Sequence, residues 1–234
     1  MYVKYTPHRA RAAGAGLPSP ATFLRAMARR KKEDAALTRD AILDAAGRVF
    51  REKGVARTRM EDIAAGADCT RGAVYWHFKN KTDVLLALSE RVSLPLYDSI
   101  RQIIAAQPDD PLGAWRAHLL DSMKTIESDS LQQNTCDTLV NRCELSDDVE
   151  ALRDLENQRS AFFIDSSRQL FEAARAKGDL RADADLAQLA LVTHATMLGL
   201  LRLWLRQDGD FALRETVDAA VDLLLAGVRL PRRS

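Results

Sequence analysis

Cysteine and aromatic residues are scarce in this chain of 234 residues. Its three cysteines are an odd number whose spacing fits no zinc motif, so the sequence predicts neither a disulfide framework nor a structural metal site. Such cysteine usage is typical of the reducing cytosol, and we expect a cytoplasmic protein. Aromatic residues make up only 6% of the chain, whereas alanine, leucine, arginine and aspartate dominate. This mixture favours helices over sheets.

Long hydrophobic runs are also missing. No stretch of about 18 uncharged apolar residues occurs, so we expect no membrane span and no membrane partner. The N-terminal residues include no apolar segment long enough for a signal peptide. The sequence shows no Gly-rich phosphate loop, paired-carboxylate motif, nucleophile–base pair or metal cluster. We therefore expect no enzyme, no cofactor and no metal.

The formal net charge of +1 conceals an uneven distribution. Residues 1–96 hold 18 Lys and Arg against 10 Asp and Glu, whereas residues 97–234 hold 16 against 23. A basic front half is typical of a segment that meets an anion such as nucleic acid. From charge alone, a solvated surface or a disordered tail is an equally good interpretation.

Residues 1–36 are basic and rich in helix-breaking residues, including Pro7, Pro18 and Pro20. This composition predicts a disordered N-terminal extension. Met27 opens a basic run and is an alternative start of the chain. Helical order is expected from about Thr38, where apolar residues begin to recur at helical spacing.

Three helices joined by short turns are predicted over residues 37–84. The first ends at Gly54, and the second begins with a capping box, Thr58-x-x-Glu61. Thr70 caps a very short third helix. The tight turn between the second and third helices predicts a helix-turn-helix domain, in which the third helix enters the major groove of DNA.

Residues 85–234 show helical periodicity throughout. The expected helices cover about 111–128, 131–142, 147–177, 183–207 and 210–229. The predicted fold class is therefore all-α, with an N-terminal helix-turn-helix domain (37–84) and a larger C-terminal helical domain (85–234).

The segment TRGAVYWHFKNK (70–81) meets the demands of a recognition helix. Its small residues allow close approach to the bases, its basic and polar residues can reach base edges or phosphates, and Val74 and Phe78 face inward. The residues predicted to contact DNA are Thr58, Arg59, Thr70, Arg71, Gly72, Ala73, Tyr75, Trp76, His77 and Lys81.

Simpler interpretations exist for several of these side chains. Arg71, Tyr75 and His77 are ordinary surface residues if the motif is set aside. For Trp76, packing over the first helix is favoured over contact with DNA. Lys81 is expected to hold a phosphate, because the N-terminus of the helix beside it carries the same positive polarity.

Three segments carry a resemblance to a known family. AILDAAGRVFREKG, TRMEDIAAGAD and TRGAVYWHFKNKTDVL resemble the DNA-binding domain of the TetR family, without a gap from Thr38 to Val84. Within that family, RGAVYWHFKNK, NRCELSDD (141–148) and LGLLRLWL (198–205) are most similar to the AcrR-type repressors of multidrug efflux pumps. The resemblance implies a homodimer that represses transcription from a double-stranded DNA operator. It also implies release when a small hydrophobic effector enters the C-terminal domain.

A few polar or sulfur-containing groups lie on otherwise apolar faces of the helices predicted in the C-terminal domain. A drug-binding pocket needs such an apolar lining with a few orienting polar groups. A packed core with satisfied polar groups is the alternative interpretation. The residues predicted to bind the effector are Cys136, Val140, Cys143, Phe163, His194 and Met197.

The last two predicted helices carry apolar stripes. In a monomer these stripes would belong to the core, whereas the resemblance implies that the two helices form an intersubunit four-helix bundle. The stripe residues are Leu189, Val192, Leu200, Leu203, Val217, Val221, Leu224 and Leu225.

Two other functions stay open. One is a ligand-independent DNA-binding repressor or adaptor, which a C-terminal domain without a cavity would favour, and the other is an enzyme.

Overall fold

The computed structural model describes residues 20–142, 150–207 and 209–230. Apart from one isolated β-bridge between Leu180 and Arg229, the regular structure of these residues is helical, which confirms the all-α prediction. The helices are α1 (Pro20–Lys53), α2 (Met60–Gly66), α3 (Arg71–His77), α4 (Lys81–Ala106), α5 (Pro111–Ser128), α6 (Ser130–Asp137) with a π-helical turn (Thr138–Arg142), α7 (Glu150–Ala176), α8 (Leu186–Arg206) and α9 (Leu213–Ala226).

The first helix starts earlier than the sequence predicts. It begins at Pro20 rather than near Thr38. Residues 21–37 contain no proline or glycine and are rich in alanine, arginine and lysine, which favour a helix, so the helix-breaking residues end at Pro20. Residues 1–19 lie outside the described residues. The disorder expected there stays a prediction, as do the domain boundaries after residues 36 and 84.

The chain divides into two compact units, with the boundary between Arg39 and Asp40. In the first unit, local contacts link neighbouring turns of α1. Arg29 pairs with Glu33 at 2.7 Å, and the Thr38 hydroxyl donates a hydrogen bond to the Asp34 carbonyl at 2.9 Å. The second unit begins at Asp40 and contains the rest of α1 and every later described helix.

Within the second unit, a small hydrophobic core holds the end of α1, the helices α2 and α3, and the start of α4. Phe50 and Val74 are fully buried there, and Phe78 is 4% exposed. The prediction that Val74 and Phe78 face inward is therefore confirmed. Gly66 allows α2 to approach α1, because a Cβ at Gly66 would lie only 3.3 Å from Val49 Cγ2.

A larger core, called the rear core below, holds α5, α7, α8 and α9 together and includes the second half of α4. The part of the chain built around it is the rear domain. Trp115 and Phe171 meet edge to face, with ring centroids 4.7 Å apart. At the edge of this core, the Arg116 guanidinium on α5 pairs with Asp218 and Asp222 on α9, each at 2.6 Å. The predicted larger helical domain is confirmed.

Helix α8 is long and apolar enough to cross a membrane by length and composition alone, and it is the one such helix among the described residues. Its Leu189, Met197 and Leu201 are buried in the rear core. Core helices pass that test as readily as membrane spans, so the finding assigns no membrane role to α8.

The apolar stripes predicted on α8 and α9 pack mostly inside the chain. Val217, Val221 and Leu225 are 0–2% exposed, because they recur every four residues on the face of α9 that meets the rear core. The set of leucines that points outward from these two helices includes only Leu203 of the predicted stripes. Its members are Leu191, Leu198, Leu203 and Leu223, with 42–79% exposure.

Candidate nucleic-acid interface and effector cavity

The second helix starts one residue later than the predicted capping box. Its N-cap is Arg59, whose N–H donates a hydrogen bond to the Asp62 carboxylate at 2.9 Å. Thr58 is buried, and its hydroxyl donates to the Gly54 carbonyl at 2.8 Å. The predicted capping box Thr58-x-x-Glu61 is therefore wrong, because the carboxylate that accepts the capping hydrogen bond belongs to Asp62 and not to Glu61.

The Asp62 carboxylate also accepts a hydrogen bond from Lys53 Nζ at 2.8 Å. This hydrogen bond, followed by the one from the Arg59 N–H, lowers the pKa of the Asp62 carboxyl. A negative charge in the first turn suits the positive end of the helix dipole. Asp62 thus fixes the start of α2 beside the end of α1.

The turn between α2 and α3 is tight. Asp68 adopts a left-handed backbone (φ 50°), and the Cys69 N–H returns to the Ala64 carbonyl at 3.0 Å. Thr70 then caps α3, with its hydroxyl oxygen accepting a hydrogen bond from the Ala73 N–H at 3.1 Å, as the sequence predicts. This is the geometry that a helix-turn-helix requires.

The outer face of α3 carries two aromatic side chains. Tyr75 is 42% exposed and Trp76 is 73% exposed. Packing of Trp76 over the first helix is therefore wrong. Val74 marks the buried face of α3, and Trp76, two residues further along, lies on the opposite side of the helix. His77 meets the edge of Trp76, with ring centroids 4.5 Å apart.

Arg71 is held in place on the same outer face. Its guanidinium pairs with Glu61 of α2 at 3.0 Å and lies 5.3 Å from the centroid of the Tyr75 ring. The hydrogen bond with Tyr75, together with the charge of Glu61, raises the pKa of Arg71. Beside it, a Cβ at Gly72 would meet only the Thr70 hydroxyl, at 3.8 Å, so the surface there is open.

The predicted DNA contacts therefore fall into three groups by exposure. Thr58 is buried, whereas Ala73, His77 and Lys81 are half-buried. Their contacts with DNA, and those of the exposed group, stay predictions. The exposed residues are Arg59, Thr70, Arg71, Gly72, Tyr75 and Trp76.

Lys81 has partners inside the chain. Its Nζ donates to the Val55 carbonyl at 2.6 Å and also lies 3.3 Å from the carbonyls of Ala56 and Thr58. An ammonium group has three donors, and three carbonyls of the α1–α2 turn receive them. The structure therefore gives this side chain a role in tying the start of α4 to the helix-turn-helix. Its predicted phosphate contact stays a prediction.

Replacing Lys81 by methionine separates these two roles. Hydrogen bonds to charged groups contribute more than neutral ones, so we expect Lys81→Met to lower the free energy of unfolding by about 2 kcal/mol. Urea unfolding followed by circular dichroism measures this, with the exposed Lys79→Met as the matched control. Unchanged stability combined with a salt dependence of operator binding that falls by about one unit of slope would instead favour the phosphate contact.

A cavity of about 190 Å³ lies in the rear domain. It is bounded by residues of α4, α5, α7 and α8, and by Cys136 of α6. Most of the lining is apolar. The lining residues are Val92, Leu96, Ile100, Trp115, His118, Leu119, Ser122, Met123, Ile126, Cys136, Phe163, Ser167, Thr193, His194, Met197, Leu198 and Leu201.

The predicted effector residues divide between this cavity and other places. Cys136, Phe163, His194 and Met197 line the cavity together. Val140 is half-buried in the π-helical turn that follows α6. Cys143 lies outside the described residues. Binding of an effector by any of these residues stays a prediction.

Sequence reasoning missed the contribution of α5. Trp115, His118 and Ser122 lie three and four residues apart, so they share one helical face and reach the cavity together. The signal was present in the sequence, because a histidine and a serine interrupt an otherwise apolar stripe. It is a weak signal, since satisfied polar groups also occur in packed cores.

Burial changes the chemistry of the titratable groups in this cavity. It raises the pKa of the Cys136 thiol to about 12 and lowers the pKa values of His118 and His194. At neutral pH the thiol is therefore protonated and both imidazoles are neutral. Within the described ranges, no three His, Cys, Asp or Glu side chains come together as metal ligands.

Taken together, an exposed α3 on a tight α2–α3 turn and a cavity in the helical domain that α4 joins to it define a DNA-binding transcriptional regulator. Residues 42–88 match the family described as bacterial regulatory proteins, tetR family. Residues 110–229 match the MAATS-type transcriptional repressor, C-terminal region. The chain belongs to the TetR family, which confirms the resemblance seen in the sequence.

Individual relatives match over most of the chain. TtgR of Pseudomonas putida, an HTH-type transcriptional regulator, is 34% identical over 208 residues, which cover 87% of this chain and 97% of TtgR. SmeT of Stenotrophomonas maltophilia, solved as a complex with triclosan, is 35% identical with a TM-score of 0.76, covering 84% of this chain and 93% of SmeT. NalD of Pseudomonas aeruginosa is 30% identical with a TM-score of 0.73, covering 84% and 98%.

Membership of this family identifies the partners. The protein is a transcriptional repressor that binds a double-stranded DNA operator as a homodimer, and it responds to a small-molecule effector. The sequence predictions of operator DNA, a homodimer and an effector are confirmed at this level.

Proposed function

We propose that this repressor binds its operator when its cavity contains no effector, and that it dissociates from the operator when a small apolar molecule enters the cavity. The observation that carries the proposal is the apolar cavity, which α4 joins directly to the helix-turn-helix. NalD is described as the secondary repressor of the MexAB-OprM multidrug efflux pump, and SmeT as the repressor of the SmeDEF pump. We therefore assign this protein to the control of a multidrug efflux operon, acting in the cytoplasm and without enzymatic activity.

On the DNA side, α3 enters the major groove with Arg71, Tyr75 and Trp76 on its outer face. The two copies of α3 in the dimer engage successive grooves about 34–36 Å apart, one turn of B-DNA. Most of the affinity comes from phosphate contacts, so operator binding falls steeply as the salt concentration rises.

Helix α4 is the first route from cavity to DNA. Near its start, Val84 and Leu88 are buried in the helix-turn-helix core. Further along, Val92, Leu96 and Ile100 line the cavity. An effector that moves the cavity-lining part of α4 therefore also displaces the part that packs against α1, α2 and α3.

Helix α6 is the second route. Its Cys136 lines the cavity, and its Asn134 accepts a hydrogen bond from Arg51 near the end of α1, at 2.7 Å. Gly47 lies against the same helix, because a Cβ there would be 3.6 Å from Leu131. An effector releases DNA to the extent that it binds the displaced arrangement of α4 and α6 more tightly than the arrangement that fits the operator.

The alternative of a ligand-independent repressor predicts a rear domain packed without a cavity. A cavity with one face on α4 and another on α6 favours the effector-controlled protein instead. For an enzyme, the buried Cys136 thiol is not an activated nucleophile, since it stays protonated at neutral pH.

Fluorescence anisotropy with labelled DNA from the promoter region beside its own gene tests the proposal. We expect the repressor to bind this DNA and triclosan, the ligand in the SmeT complex, to weaken binding by about tenfold to a hundredfold. A cavity-filling variant, Met197→Trp, is the control: it should bind the DNA as before but no longer respond. A response to triclosan that survives in Met197→Trp would place the effector elsewhere, and a wild-type protein that ignores every apolar compound would favour the ligand-independent repressor.

A further inference from the structure

The polar groups of the cavity differ in one respect, namely whether they already have a partner. The Thr193 hydroxyl donates to the Leu189 carbonyl at 2.7 Å, and the Ser122 hydroxyl donates to the His118 carbonyl at 2.7 Å. The Ser167 hydroxyl accepts a hydrogen bond from Trp115 Nε1 at 3.0 Å. These hydroxyls are committed to the protein itself.

His118 is also engaged. Its Nδ1 lies 3.1 Å from the Ser99 hydroxyl on α4, within hydrogen-bond distance. Its ring is thus held between α5 and α4, at the edge of the cavity. Of the two cavity histidines, this is the one with a neighbour that already satisfies a ring nitrogen.

His194 is the exception. Its Nε2 atom is buried and has no hydrogen-bond partner among the described residues. The ring lies nearly parallel to Phe163, at an interplanar angle of 19° and a centroid distance of 6.4 Å. Phe163 in turn packs on Tyr97, with ring centroids 5.0 Å apart. Because a buried nitrogen without a partner is unfavourable, a ligand group that supplies the hydrogen bond gains affinity.

We infer that His194 Nε2 is the hydrogen-bond anchor for the effector, and that the preferred effectors are neutral aromatic compounds with a hydroxyl group. This inference rests on the proposed function, since it names the chemistry of the molecule that fills the cavity. Most of the remaining lining is apolar and suits the aromatic part of such a compound.

The chemistry of a neutral imidazole favours a hydroxyl over other polar groups. Burial lowers the pKa of His194, so the ring carries one N–H donor and one acceptor at neutral pH. A hydroxyl can donate or accept, so it satisfies Nε2 in either tautomer, whereas an ether or a carbonyl only accepts. A permanently charged compound would lose its hydration in this apolar cavity without gaining an opposite charge.

The size of the cavity sets the scale of the effector. A dry cavity of about 150 Å³ lined by aliphatic and aromatic side chains is known to admit benzene. The cavity of about 190 Å³ in this protein is larger and opens between helices. It therefore suits a compound of one or two aromatic rings.

A pair of isosteric compounds tests the anchor. Para-phenylphenol and para-methylbiphenyl have the same shape and differ by a hydroxyl against a methyl group. Titration calorimetry on the full-length dimer is expected to show about tenfold tighter binding of the phenol, as one additional hydrogen bond predicts. In His194→Phe, which keeps the aromatic stack on Phe163, the two affinities should become equal.

Thr196→Val is the matched control, since its hydroxyl on the same helix already donates to the Val192 carbonyl at 2.8 Å and the residue lies outside the cavity lining, and it should retain the tenfold preference. His194→Gln, which keeps a hydrogen-bonding group, should retain part of it and serves if the phenylalanine variant fails to fold. Equal affinities in the wild type, or a preference that persists in His194→Phe, would overturn the anchor while leaving the cavity in place. If the wild type bound neither compound, that result would contradict both the proposed binding of effectors in the cavity and the role of His194 as their anchor.

Discussion

Alanine at both Arg71 and Tyr75 is expected to weaken operator binding by at least about a hundredfold, at a salt concentration where the wild type binds tightly. Each good contact with a base or a phosphate contributes about 1–3 kcal/mol, and the homodimer loses each contact twice. Both side chains lie on the exposed face of α3, so their removal leaves the buried Val74 and Phe78 untouched. The variant should therefore unfold at the same temperature as the wild type.

The chain offers a close control for Arg71. Arg101 on α4 is also exposed, pairs with an acidic neighbour, Asp98, and lies 4.9 Å from the centroid of an aromatic ring, that of Phe162. Because it belongs to the rear domain, Arg101→Ala should leave operator binding unchanged. Anisotropy titrations at several salt concentrations compare the variants. Full operator binding by the Arg71 and Tyr75 variant would mean that α3 is not the recognition helix.

The second large effect concerns the dimer. Leu203 on α8 and Leu223 on α9 are 53% and 79% exposed, although both helices belong to the core of the rear domain. Exposed leucines on neighbouring helices are typical of a surface that a partner covers. We expect the double substitution Leu203→Glu and Leu223→Glu to convert the dimer into a monomer, because it places two charges per chain in an apolar interface.

Analytical ultracentrifugation measures the change of mass directly. Operator binding should fall with it by at least about a hundredfold, since a monomer loses the gain in effective concentration that comes from two linked recognition helices. Leu94→Glu, on α4, provides an equally exposed leucine (50%) outside the α8–α9 surface and should remain dimeric. A dimer that persists in the double variant would place the interface on another surface.

The structural predictions made from the sequence differ in how much they depend on the tertiary fold. The inward positions of Val74 and Phe78 and the cap at Thr70 follow from local spacing, and the sequence predicts all three correctly. Trp76 shows the limit of such reasoning. A large aromatic residue is usually buried, but its angular position on α3, opposite Val74, leaves it exposed. That position becomes decisive only once the buried face of the helix is known.

Lys81 shows the same limit for charged groups. A basic residue at a helix N-terminus beside a recognition helix is a natural phosphate contact. The carbonyls that receive its Nζ, those of Val55, Ala56 and Thr58, are more than twenty residues earlier in the chain. No local pattern reports a contact of that separation.

The sequence by itself determined the all-α class, the helix-turn-helix and the family, because helical periodicity, caps and a motif of contiguous residues are local properties of the chain. The tertiary structure decided which leucines of α8 and α9 remain for a partner. It also decided which cavity groups already have hydrogen-bond partners and which nitrogen, His194 Nε2, has none among the described residues. Both depend on how distant helices pack, and burial and hydrogen-bond satisfaction are properties of the packed arrangement rather than of any segment.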